Sequence, residues 1–239
     1  MREDLNFVIK VYKLKEFPRT GWVLRKVKNP ETIAEHTFRV AIASWFLGRE
    51  AGLDVKKLIQ MSLFHDLCEV YAGDVTPFFY FTKYLPSKEK EREKFLKEYV
   101  RLPKKEKEAM GARKYNLEKR SLLKLIKPLN PKKKHEIFAL WLNFEKKLPK
   151  EGDFNYQVDK IETLIQAIEY FGTGENSLAN GWWEESEEIT HHPLLLEFLK
   201  VIQKRFYGKA ENYKKNKKLE AILEFILDID KLKRMPRLY

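Results

Sequence analysis

The chain has 239 residues, 44% of them hydrophobic, which is ample to bury a core, and its lone cysteine, Cys68, excludes an internal disulfide framework. Lys and Arg number 47 against 35 Asp and Glu, a formal net charge of +12, which attracts polyanions but cannot choose among nucleic acid, acidic headgroups and phosphorylated metabolites. No apolar run approaches a membrane span and the N-terminus lacks a signal-peptide core, so the expectation is a cytoplasmic protein with no membrane contact.

In chain order, MREDLNFVIKVYKLKEF mixes charged and apolar residues. Residues 32 to 51 then read as a helix: Thr32 and Glu35 form a capping box, apolar residues recur at helical spacing, and Gly52 stops it. Asp54 caps a second helix running from Val55 to Ala72, nearly all apolar around Met61 to Phe64 and ended by Gly73. Pro77, the run FFYF and Pro86 mark a loop, and Ser87 caps a charged amphipathic helix. Helical patterns follow at 116–127, 132–147 and 155–171, punctuated by Pro103, Pro128, Pro131 and Pro149. In the tail, Leu219, Ile222, Leu223, Ile226 and Ile229 share one face of a helix. Strand-like alternation is nearly absent. The expectation is therefore all-α: one domain over 1–207 and a C-terminal helical extension over 208–239 that packs on the domain or on a dimer partner. The basic stretch from 104 to 134 is interspersed with Glu and reads as a solvated face, with no specific nucleic-acid partner expected.

The segment LFHDLCEVYAGDV concentrates chemistry. On one helix, His65 and Glu69 are four residues apart and Asp66 and Glu69 three apart, so the three share an edge. Ionisable groups in so apolar a segment are costly unless paired or bound to metal. A helical bundle can bring in further ligands from elsewhere, and His36 and Asp159 are the candidates. Two imidazoles and two carboxylates suit a divalent cation, Mn, Co, Ni, Mg or Zn, with positions left for water and substrate. Taken singly, each residue also has a plain structural reading: His36 as a core histidine, Asp66 as a buried ion-pair partner, Asp159 as an acid near a helix N-terminus. His191 and His192 sit in a loop and read as a helix cap, His135 as solvated, and Trp182 and Trp183 as packing anchors.

The ordered series EHTFRVA, SLFHDLCEVYAGDVTP and QVDKIETLIQAIEY resembles the HD-domain metal-dependent phosphohydrolases, in particular their 5'-deoxynucleotidase branch. PRTGWVLRKVKNPETIAEH, YLPSKEKEREK and HHPLLLEF extend the likeness from about Phe17 to about Tyr207. The resemblance implies a helical HD-domain bundle in which His36, His65, Asp66 and Asp159 ligate the divalent metal. It implies that Glu69 and Asp74 handle the catalytic water or hold a second ion with the Val75 carbonyl, that Arg19 and Trp22 meet the nucleotide, and that the protein is a homodimer. The expected reaction is hydrolysis of (deoxy)ribonucleoside 5'-monophosphates to nucleoside and phosphate. Two alternatives stand beside it: an HD-type hydrolase of nucleotide polyphosphates or cyclic nucleotides, and a basic nucleic-acid-binding protein with a vestigial metal site.

Overall fold

The computed structural model describes residues 1–76, 87–91, 94, 104–174 and 177–208. These form helices α1 (Arg2–Val11), α2 (Thr20–Leu24), α3 (Ile33–Glu50), α4 (Val55–Phe64), α5 (Glu69–Ala72), α6 (Lys104–Ile126), α7 (Pro131–Glu145), α8 (Lys150–Phe171), α9 (Asn180–Ile189) and α10 (Pro193–Tyr207). A 3-10 turn, Tyr12–Glu16, follows α1, and among the described residues the only β-type pairing is one antiparallel bridge between Pro18 and Thr32. The all-α expectation therefore holds, and none of the described helices is long and apolar enough to cross a membrane.

The α8 helix is the axis of the molecule. Its buried residues lie on every side, from Phe154 and Val158 to Leu164 and Ile168, as expected of a helix enclosed by neighbours. One core cluster joins α8 to Leu47, Leu58, Leu195, Phe198 and Ile202; a second joins Leu14, Ile33 and Leu67 to Leu122, Leu125, Ile137 and Trp141. The α7–α8 crossing depends on Gly152, where an added Cβ would lie 2.3 Å from the backbone oxygen of Asn143. Only glycine admits that approach.

The helix expected from Val55 to Ala72 is broken in two. After Phe64 the backbone tightens into bonds of the i to i−3 kind, Leu67 N–H to Phe64 O and Glu69 N–H to Asp66 O, the pattern of a 3-10 turn. The ring of His65 contributes by bonding back to the Ser62 carbonyl, Nδ1 to O at 2.6 Å, a local alternative to a continuing helix. Gly73 then ends α5 at φ 72.

The helix expected over 116–127 is the second half of the longer α6, and those over 132–147 and 155–171 correspond to α7 and α8. No helix was expected at α1 or α9, and α10 only as the helix that His191 and His192 precede. Most of the helix expected from Ser87, the FFYF run and the whole tail helix lie outside the described residues.

Candidate metal centre

Three chain segments deliver the candidate ligands to one point. The capping box forms as the sequence implies, with Glu35 N–H donating to Thr32 Oγ1 at 3.2 Å and Thr32 N–H to Glu35 Oε2 at 2.7 Å. That fixes the start of α3 and sets His36 in its first turn, with no solvent exposure. The break after α4 turns His65 and Asp66 toward α3, and α8 supplies Asp159 from its buried side.

His36 Nε2 lies 3.0 Å from Asp159 Oδ1 and 3.8 Å from Asp66 Oδ2, while His65 Nε2 lies 3.1 Å from Asp66 Oδ2. Ligand atoms of His36, His65 and Asp159 all lie within 4.8 Å of one another. Yet both Nε2 atoms are buried without a hydrogen-bond partner. Buried imidazole nitrogens are seldom left so. With metal–nitrogen distances near 2.1 Å, neighbouring ligands around one cation stand about 3.0–3.4 Å apart, and the two shortest separations match. The donor set, two nitrogens and two carboxylates, therefore fits a divalent cation of the first transition row.

The electrostatics agree with a charge-dense site. Burial and the Arg19 charge lower the affinity of His36 for a proton, but Glu162 and Asp159 outweigh them and push its pKa up to about 9. Burial works against ionised Asp66, yet His65, His36 and Arg19 hold its carboxyl well below the usual range. Asp159 is also held low, against burial, by Lys160, 3.1 Å from its Oδ2, and by His36. Glu69 moves the other way. Burial, with Asp66 and Asp74 nearby, raises its pKa well above normal, and its Oε2 has no partner.

The other expected residues are placed unevenly. Arg19 sits beside the cluster, Nη1 3.8 Å from Asp66 Oδ2 and Nε 3.6 Å from Asp74 Oδ2, and Nη1 makes no hydrogen bond. Asp74 accepts the Thr20 N–H at 2.6 Å, so it also anchors the chain around Arg19. Val75 is fully buried next to it. Asp66, Glu69 and Asp74 all lie outside the three-residue ligand groups found among the described residues, but Asp66 reaches both histidines.

Trp22 is a correction. Its indole is 2% exposed, packed against Tyr170, Phe171 and Trp182, and donates Nε1–H to Glu31 Oε1 at 2.8 Å. That leaves no open ring face for a base. His192 is the N-cap residue of α10, as its position in the sequence implies, although its ring makes no capping hydrogen bond. The backbone N–H groups of His191 and His192 both donate to Gln157 Oε1, and the His191 ring meets Asp153 at 2.8 Å.

Sequence reasoning missed two buried acids around His36. Glu31 directly precedes the capping box, and Glu162 stands three residues after Asp159, one turn along the same face of α8. That spacing was the available signal. Glu31, His36 and Glu162 also form a compact trio, but Glu31 is bonded to Trp22 and Glu162 to the Nδ1 of His36, so the trio backs the first cluster rather than making a second one.

Residues 11–202 match the family described as HD domain. The chain belongs to the HD-domain family. Its HD dipeptide is His65–Asp66, and the matched span contains every residue of the centre. A Mus musculus protein named 5'-deoxynucleotidase HDDC2 is 32% identical over 167 residues, 70% of this chain and 69% of the relative. A Dictyostelium discoideum protein of the same name is 31% identical over 81% of this chain and 93% of its own. Among solved structures, a conserved hypothetical protein from Pyrococcus furiosus shares 25% identity at a TM-score of 0.56, covering 84% of this HD-domain chain and 99% of its own.

Proposed function

We propose that this protein is a divalent-metal-dependent phosphomonoesterase that hydrolyses (deoxy)ribonucleoside 5'-monophosphates, with His36, His65, Asp66 and Asp159 as the metal ligands. The observation that carries the reading is the pair of partnerless, buried Nε2 atoms facing two carboxylates, in a chain whose relatives are named 5'-deoxynucleotidases. A bound divalent cation supplies Lewis acidity, making a water nucleophilic near neutral pH and offsetting charge on the phosphoryl group.

The chain's own residues do the rest. Arg19 presents its unpartnered Nη1 to a phosphate oxygen, while Asp66 and Asp74 fix the guanidinium plane. Glu69, with Oε2 free of hydrogen bonds, takes the proton from the attacking water or passes it to the departing 5'-oxygen. Asp74 holds the Arg19 segment through the Thr20 N–H and is the alternative group for that proton. Trp22 supports the same segment from inside the core.

The protein is further read as a homodimer. An exposed stripe on α3 supports this: Phe38, Ile42 and Trp45, at i, i+4 and i+7, are 64%, 40% and 36% exposed.

The test of function is to strip the protein of metal and reload it separately with Mg, Mn, Co and Zn. Phosphate release is then assayed from a panel of deoxyribonucleotides, ribonucleotides, polyphosphates and cyclic nucleotides. Release from 5'-monophosphates with at least one metal is expected; release only from the other classes, or from none, would contradict the reading.

A further inference from the structure

A single helix faces both ring nitrogens of His36. Asp159 and Glu162, one turn apart on α8, face Nε2 and Nδ1 respectively, and Glu162 Oε2 lies 2.6 Å from Nδ1. Both partners of that second contact are buried, His36 completely and Glu162 to 3% exposure. The two histidines of the centre are thus oriented by different devices. His65 uses a backbone carbonyl, that of Ser62, whereas His36 uses a carboxylate.

The carboxylate is itself held. Arg39, one turn after His36 on α3, brings Nε to 2.5 Å from Glu162 Oε1, an ion pair that holds by charge and not by an aligned hydrogen bond. The same guanidinium continues along α8, donating to Gln166 Oε1 at 2.7 Å and to Glu169 at 2.8 and 3.2 Å. Glu162, Gln166 and Glu169 stand at i, i+4 and i+7, so one arginine spans two turns of α8 from its place on α3.

We propose that Glu162 is a positioning residue for the metal centre, acting through His36, and that Arg39 holds it in place. The inference rests on His36 being a metal ligand. A neutral imidazole carries its proton on one nitrogen only. A carboxylate at Nδ1 keeps the proton there, leaves the Nε2 lone pair free, fixes the ring plane and makes Nε2 a stronger donor to a cation. Arg39 gives the buried carboxylate a counter-charge, without which its burial would be costly. The Arg39 end of the chain of contacts is partly open to solvent, at 30% exposure, so its partner can be removed without opening the core.

The test measures zinc affinity of the full chain by chelator competition for wild type, Glu162→Gln, Glu162→Ala and Arg39→Met, with melting curves to check folding. Long-range imidazole nitrogen NMR spectra of the zinc-loaded proteins report which His36 nitrogen bears the proton. The expected result is zinc affinity weakened roughly 10-fold in Glu162→Gln, where the amide still accepts from Nδ1, and toward 100-fold in Glu162→Ala. Arg39→Met, whose surface change guards against a folding failure of the buried variants, should weaken binding by a smaller factor. Wild type should show His36 protonated at Nδ1. Folded Glu162→Gln and Arg39→Met proteins with wild-type affinity would overturn the inference while leaving the ligand assignment standing. A wild type that binds no zinc would overturn both.

Discussion

Asp66 and His65 answer to each other at 3.1 Å and to His36 across the helix interface, so removing one leaves the others as buried groups lacking their common partner. Asp66→Ala and His65→Ala are expected to lose both bound metal and phosphate release; full metal retention in elemental analysis would contradict the assignment. Glu69→Gln should separate the two properties, keeping the metal and lowering the rate by about 10²-fold if Glu69 transfers the proton. An unchanged rate would make Glu69 structural. At this scale the candidate ligands stood out in the sequence because ionisable residues in an apolar helix need a reason to be there. Glu162 was not legible, since a glutamate in a helix is ordinarily a solvated residue and its burial becomes visible only once α3 is laid against α8. Trp22 was misread for the opposite cause: nothing in PRTGWV says which side of the indole meets the core.

Helix starts were readable where a side chain closes the backbone, as at Thr32 and Asp54, and where Pro131 opens α7, and a stop was readable at Gly73, which takes a positive φ. The interruption at His65 was not, because the apolar pattern runs on through Leu67 and Cys68 while the backbone tightens beneath it. On α6, Glu118 is 4% exposed and pairs with Lys114 Nζ at 3.4 Å. Burial raises its pKa from 4.5 to about 7, with Lys114 opposing and Glu145 and Asp66 adding to the rise. An acid whose folded pKa is raised binds its proton more tightly when folded, so its contribution to stability falls as pH rises from 4.5 to about 7. Glu118→Gln removes that dependence. Its melting temperature relative to wild type should therefore be more favourable at about pH 8 than at about pH 5, and a flat difference would refute the burial argument. At the α7–α8 crossing, Gly152→Ala must displace the Asn143 backbone, with an expected cost of roughly 1–3 kcal/mol in denaturant unfolding; a neutral substitution would show that the crossing is looser than the structure has it.

For the whole molecule, the all-α class, the HD-domain family and the meeting of α3, α4 and α8 follow from a sequence with few strand signals and an ordered run of candidate ligands. The basic surface, by contrast, conveyed charge without function, and much of the 104–134 stretch is α6, whose C-terminal end enters the core through Leu122, Leu125 and Ile126. Because the proposed ligands come from α3, the turn between α4 and α5, and α8, metal binding should stabilise the entire fold. At a free metal concentration about 100-fold above Kd, binding adds about 2.7 kcal/mol, so chelation should lower Tm by roughly 5–10 °C. No change in Tm would mean that the helices are held without the cation. The most direct test of the central claim is anomalous diffraction from crystals of the manganese-loaded protein. One strong peak bounded by His36 Nε2, His65 Nε2, Asp66 and Asp159 is expected; a peak elsewhere, or none at full manganese loading, would contradict the ligand assignment.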